Sequence, residues 1–271
     1  ITQDLITNSI VLSTTGSSVS YLHIDLNKTT ALRSAGQNIA GFTDDFDGDI
    51  RFGNTGYAGN GTATDIGADE FAGLQSFPFS GIYNVGVGQN YVSLTNTNGI
   101  FAKINSLGLS GNVTINITSD LSETGAEALN QWTEFGAGNY SITIQPDAST
   151  PRLIYGNVVA GMIRFNGADR VKIYGGTSRL LTFRNTNATG TSGTAFTFIN
   201  GAAYDTIRYC NLEAFANANN GVVLFSTAAS ATTGNSNNLL EYNNINGTYN
   251  SNTSLVAIYS SGSTGKENSA M

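Results

Sequence analysis

Between Met162 and Tyr259 the alternation of apolar and polar positions recurs in blocks. Met162-Ile163-Arg164-Phe165, Ala195-Phe196-Thr197-Phe198, Val222-Val223-Leu224-Phe225 and Leu255-Val256-Ala257-Ile258 are short runs of β-branched and aromatic residues, the composition that suits a pleated, half-buried strand. Their last members, Phe165, Phe198, Phe225 and Ile258, are spaced by 33, 27 and 33 residues. A second series lies between them: Arg170 to Tyr174, Thr206 to Tyr209, and Leu239 to Tyr242. A third, less regular, holds Leu180 to Phe183, Leu212 to Phe215, and Ile245 to Tyr249. Three strand-like runs per turn, returning about every 30 residues, predict a solenoid of stacked β-coils.

Upstream of the repeat, Ile100, Phe101, Ile104 and Leu107 fall on one face at helical spacing, with Asn98 placed to cap the segment and Gly108 to stop it. An open stack of coils ends in bare apolar surface and unpaired backbone. A helix laid over that end covers both, so residues 98–107 are expected to be a cap. Val113 to Ile117 alternates at period two and reads as a strand; Ser141 to Gln145 is another, ended by Pro146. Ala126 to Trp132 reads as a second short helix, and the coils are expected to begin at Leu153.

Residues 1–73 contain the strand-like runs Ile10 to Leu12 and Val19 to Ile24, then an acidic, Gly-rich stretch without period. Leu74 to Gly81, with Pro78, is the linker, so the expected organisation is 1–73, a join at 74–81, and a second unit from 82 to 271. The turn-rich Thr232 to Asn238 leads into a strand-like run, whereas the similar Ser263 to Ser269 is followed by only two residues. That contrast reads as a window cut from a longer polypeptide. Position matching within the repeat also pairs Asn166-Gly167 with Asn200-Gly201, Asp169 with Asp205, and Tyr209-Cys210-Asn211-Leu212 with Tyr242-Asn243-Asn244-Ile245. Asn211 and Asn244 are therefore expected to stack at an interior bend, where amides satisfy turn backbone and one another.

Composition narrows the function classes. Only 11% of the 271 residues are charged, and the net charge of −7 leaves no basic cluster to displace counterions from phosphates, which argues against nucleic acid. The single Cys210 forms no intrachain disulfide, and no Cys/His set is present to hold zinc. No apolar run reaches the roughly 18 residues needed to span a bilayer.

Asp45, Asp47 and Asp49 alternate, with Asp44 adjacent and Gly48 allowing a sharp turn. Hard oxygen donors in that pattern suit calcium, although an EF-hand starting at Asp45 would need glutamate where Gly56 stands. The other reading is a metal-free turn network in which Arg51 pairs with these acids or with Asp65, Asp69 or Glu70. β-Solenoids that cleave acidic polysaccharides need clustered carboxylates, or calcium beside a Lys/Arg base. The coils offer Asp169, Asp205, Glu213, Glu241 and Glu267. Asp169 and Asp205, beside Arg170, Lys172 and Arg208, are expected to form a solvated, salt-bridged face. His23 has no nucleophile signal nearby and reads as packed or surface, Cys210 as interior, and Trp132, Tyr140 and Tyr155 as core more than sugar platforms.

Two stretches resemble a known family. Thr43-Asp-Asp-Phe-Asp-Gly-Asp-Ile-Arg51 followed by Asp65-Ile-Gly-Ala-Asp-Glu-Phe71 resembles the DxDGxxR…DIGAxEF signature that closes right-handed parallel β-helix domains of secreted Bacteroidota proteins. Tyr83-Asn-Val-Gly86, Ile104 to Gly111 and Val113 to Ile117 are similar to the opening of another such domain. The resemblance implies a piece of a large, repetitive surface adhesin exported by type IX secretion, some of which serve attachment or gliding. The expectation is thus an all-β, right-handed parallel β-helix with a short N-terminal capping helix in the second unit, non-catalytic, secreted and at the cell surface. Its expected partners are neighbouring repeats of the same polypeptide, surface glycans or other cell-surface proteins. The alternative is a polysaccharide-binding or polysaccharide-cleaving, pectin-lyase-like β-helix. An ice-binding β-helix would need a flat, regular Thr array, which the register here does not supply.

Overall fold

The computed structural model describes residues 23, 32–57, 61–71, 78–188, 193–215, 221–227, 231–247 and 256–268. The chain divides into two compact units, Ile1–Phe77 and Pro78–Met271, within the stretch read as a linker. The runs Ile10 to Leu12 and Val19 to Ile24 lie outside the described residues, His23 apart.

The second unit opens with β1 (Phe79–Val85) and one helix, α1 (Ile100–Leu107). Five coils of three strands follow. The first is β2 (Leu109–Ile117), β3 (Leu121–Ser122) and β4 (Leu129–Asn130); the second is β5 (Ile142–Pro146), β6 (Arg152–Gly156) and β7 (Ile163–Asn166). The third holds β8 (Val171–Tyr174), β9 (Leu181–Asn185) and β10 (Phe196–Ile199). The fourth holds β11 (Thr206–Arg208), β12 (Cys210–Ala214) and β13 (Val223–Ser226), and the fifth β14 (Leu239–Glu241), β15 (Asn244–Gly247) and β16 (Ile258–Ser261). Each coil gives one strand to each of three parallel sheets, ordered β1-β2-β5-β8-β11-β14, β3-β6-β9-β12-β15 and β4-β7-β10-β13-β16. This is the parallel β-solenoid that the periodicity predicts, although its coils begin at Leu109 and not at Leu153 as expected.

Alternate residues point inward, so the apolar members of each run stack on their equivalents one coil away. Ile115, Ile144, Ile173, Ile207 and Leu240 form one column, and Leu121, Ile154, Phe183, Leu212 and Ile245 another. Leu129, Phe165, Phe198 and Phe225 form the third. The rings of Phe198 and Phe225 lie parallel, with centroids 4.4 Å apart. Burying each such side chain contributes about 1.5–3 kcal/mol, and the three columns make a continuous core.

Several registers differ from the sequence matching. Ile258 pairs with Val223, and Ser260 with Phe225. A slip of two residues keeps every side chain on its face, so the pattern alone does not detect it. Phe183 pairs with Leu212, leaving the half-buried Phe215 beyond the strand end. Tyr174 pairs with Arg208, while Tyr209 and Tyr242 sit one residue past their strands with φ of 52° and 54°. Their rings still stack, 5.0 Å apart and 8° from parallel. Residues 126–132 form no helix: Leu129 and Asn130 pair with Phe165 and Asn166, so sheet formation overrides local helical spacing.

The cap is built as the amphipathic pattern requires. Ile100, Phe101 and Ile104 are fully buried, with Leu107 packed at the margin. Gly99, not Asn98, holds the N-cap position, and no side chain caps the helix. Gly108 stops it at φ 72°, with its Cα so near the Thr133 carbonyl that a Cβ would lie 2.3 Å from that oxygen. Asn105 stands in for a missing strand: its amide donates to the Ala128 carbonyl at 2.8 Å and its oxygen accepts the Asn130 N–H at 2.9 Å, satisfying the edge beside β4.

Candidate functional site

In the first unit the acidic signature folds into a web of backbone contacts. Asp45 Oδ1 accepts the N–H groups of Asp47, Gly48 and Asp49 at 3.1, 3.0 and 2.9 Å, while Oδ2 accepts the Glu70 N–H at 2.6 Å. Asp65 accepts the N–H groups of Ser34 and Phe71. Glu70 accepts those of Phe52 and Asp65 at 3.2 and 3.0 Å. Arg51 donates to the carbonyls of Asp44 and Gly67 at 3.1 and 2.9 Å, and its guanidinium lies 3.6 Å from the Glu70 carboxylate. The spacing of the signature follows from this geometry: each carboxylate gathers the amides of a turn that has no regular ladder to satisfy them.

The carboxylates of Asp45, Asp47 and Asp49 come within 4.8 Å of one another, as a cation site requires. Burial alone would raise the Asp45 carboxyl, but the N–H of Glu70, a hydrogen bond shared with Asp47 and the turn amides hold it below its usual range. That shared bond, with burial and the Asp45 charge, pushes Asp47 up instead. Calcium takes six to eight oxygens. Asp45 already accepts four N–H groups, so a calcium ion would draw chiefly on the exposed Asp47 and Asp49. The residues fit the metal-free arginine network more fully than a calcium cage. His23, expected to be packed or at the surface, has its Nε2 3.3 Å from Asp47 and its Nδ1 3.6 Å from Asp69. The ligand atoms of His23, Asp47 and Asp69 lie within 4.8 Å of one another, a second convergence of acids on this turn.

On the coils, outward acids meet arginines one coil away. Arg184 contacts Glu213 directly across paired strands, Arg208 lies 3.2 Å from Glu241, and Arg170 lies 2.8 Å from Glu134. Arg208 also sits over the rings of Tyr174 and Tyr209, 5.7 and 5.1 Å from their centroids. Asp169 and Asp205 neither match in register, since Asp169 pairs with Ala203, nor form the solvated face expected: Asp169 is half-buried and Asp205 is 1% exposed. Cys210 is interior as expected, and burial pushes its thiol up to about 12, so it is not nucleophilic at neutral pH. Trp132 is buried, whereas Tyr155 is exposed on the outer surface.

The amide ladders are real but sit partly elsewhere. Asn244 donates to Asn211 at 3.0 Å, yet both face outward and not into a bend. Asn130, Asn166 and Asn200 form a second ladder, with links of 2.7 and 2.6 Å. The buried asparagines among the described residues are Asn185, Asn187, Asn235 and Asn238. Asn235 accepts the Ala202 N–H at 3.0 Å and donates to Asn268 at 2.8 Å. Asn235 and Asn268 fall within the two turn segments whose likeness is visible in the sequence, but abundance of Asn hid which ones point inward. Glu123 gave no sequence signal. Its carboxylate accepts the N–H groups of Leu94 and Thr95 at 2.7 Å and the Thr95 hydroxyl at 2.6 Å, tying the capping segment to the first coil. No protein family, curated protein or solved structure matches this chain.

Proposed function

We propose that this chain is a stiff, non-catalytic segment of a large secreted, cell-surface protein, a shaft whose stacked coils give reach for attachment or gliding. The observation that carries this reading is the continuous coil-to-coil pairing of the three parallel sheets, with outward polar groups also spent on coil-to-coil links: Arg184 with Glu213, Arg208 with Glu241, and Asn211 with Asn244. Groups paired along the stack stiffen it and are less available to a substrate. Each coil adds about 4.8 Å of length, so many such units would build a fibre. The neighbours of this segment are then further repeats of the same polypeptide. Its adhesive contacts would be to surface glycans or other cell-surface proteins. No helix among the described residues is long and apolar enough to cross a membrane.

A second reading, binding of a polysaccharide, draws on a shallow groove of about 400 Å³ on the outer face of the first sheet, lined by Thr143, Lys172, Tyr174, Thr206, Arg208 and Leu239. Incubating the 271-residue chain with a panel of neutral and uronate polysaccharides separates the readings. The shaft reading expects no new reducing ends, no unsaturated products and no retention on the immobilised polymers. Turnover of any of them would overturn it, and saturable retention lost in Lys172→Ala would favour the groove.

A further inference from the structure

Asp205 and Asn238 occupy the same place in successive coils, each one residue before its strand, because Thr206 pairs with Leu239. Asn238 uses both halves of its amide there. Its Oδ1 accepts the N–H of Asp205 one coil back at 3.0 Å, and its Nδ2 donates to the Ala202 carbonyl at 2.9 Å. Asp205 repeats the first contact: its Oδ1 accepts the N–H of Val171, again one coil back, at 2.7 Å. Its other oxygen, Oδ2, takes the place of the amide nitrogen. That atom is buried and has no hydrogen-bond partner. The bridge between Asp169 and Ala203 puts Ala168 in the position that Ala202 holds for Asn238. By analogy with Asn238, a donor at this place would face the Ala168 carbonyl, which also accepts the Ala203 N–H at 3.2 Å, whereas an ionised carboxylate offers only acceptors.

We infer that Asp205 carries a proton in the folded coil at neutral pH and acts as an amide-like rung, so that its ionisation loosens the contact between the third and fourth coils. The charged groups acting on it are Asp169 and Arg170. Asp169 is a like charge beside it, and Arg170 is already engaged by Glu134 at 2.8 Å and by Asp169 at 3.9 Å. Neither Val171 nor Asn238, the residues it bonds, brings a titratable side chain. Burial pushes the Asp205 carboxyl well above its usual range, and Asp169 adds to the rise against the Val171 N–H and Arg170. A carboxyl raised on folding binds its proton in the folded chain after the unfolded chain has lost it. Its contribution is therefore fullest below the unfolded value, about 3.9, and declines as pH rises toward the folded value.

The test compares thermal unfolding of the 271-residue chain and its Asp205→Asn variant from acidic to mildly alkaline pH. The variant supplies the donor permanently. It is expected to match the parent near pH 4 and to melt at least about 3 °C higher at pH 8, with the gap opening as pH rises. A gap that is absent, negative or independent of pH overturns the inference. Failure of Asp205→Asn to fold overturns it too, since a rung that needs a donor accepts an amide.

Discussion

Replacing Glu123 with alanine should detach the cap from the stack. The Glu123 carboxylate is nearly fully buried between the segment ahead of α1 and the first coil, and it accepts three donors: the Leu94 N–H, the Thr95 N–H and the Thr95 hydroxyl. Burial pushes this carboxyl above its usual range while those donors pull it back, so ionised Glu123 carries a desolvation cost that alanine removes. Against that relief stand the orphaned donors, each costing about 1–3 kcal/mol when left buried. The hydroxyl can rotate to a new partner; the two backbone N–H groups cannot. The net loss is about 3 kcal/mol, or roughly 6–12 °C for a unit of this size. Trp132, the single tryptophan, is buried in the first coil, so its fluorescence during urea unfolding follows the capped end while far-ultraviolet circular dichroism follows all three sheets. Glu123→Ala should move the fluorescence midpoint at least as far as the dichroism midpoint, because the damage begins at the cap and coils depend on their neighbours. Glu123→Gln should fall between parent and alanine, since its NH₂ faces a donor. A fluorescence midpoint unchanged within about 0.5 kcal/mol would refute the assignment of Glu123 as the tie.

Three further outcomes follow from the packing. Phe198→Ala, in the middle of its column against Phe165 and Phe225, should cost about 3–5 kcal/mol in thermal or urea unfolding; a loss below about 1 kcal/mol would mean the column is not close-packed. Gly175→Ala should destabilise even though alanine at an ordinary φ would gain about 0.4–1 kcal/mol through the unfolded chain, because its Cβ would lie 2.0 Å from the Tyr209 carbonyl oxygen and 3.2 Å from Cys210 Sγ. A melting temperature equal to that of the parent would show that the coils do not approach as closely as described. In the first unit, calcium added after chelation should leave the melting temperature unchanged, because Asp45 is committed to four backbone amides. A saturable rise that Asp47→Asn abolishes would place an ion there.

Much of this architecture was legible because the coil interior is apolar and strands have period two. Phe165, Phe198 and Phe225 announce their column, and the helical spacing of Ile100, Phe101 and Ile104 announces the cap. The acids of the first unit were legible as a cluster, and so was the choice between calcium and an arginine network. Ile258 and Phe215 were misplaced because loop lengths vary from coil to coil. Matching by residue type does not count the ladder. Asp205 reads as surface in the sequence because an aspartate usually is. Only the placement of its neighbours shows that its segment turns inward.

The sequence by itself determined that this chain stacks β-coils, since short β-branched and aromatic runs recurring about every 30 residues bury themselves by stacking on their neighbours. It also determined that a helix precedes them and that the polar turns are rich in amides. Tertiary structure alone decided which amides face the core, which acids meet arginines, and how the cap is fastened. Those outcomes depend on register between coils, a distance of many residues along the chain but one strand spacing in space. Asn105, Glu123 and Asp205 each owe their role to a partner more than 20 residues away. Nothing in their own sequence neighbourhood marks that partner.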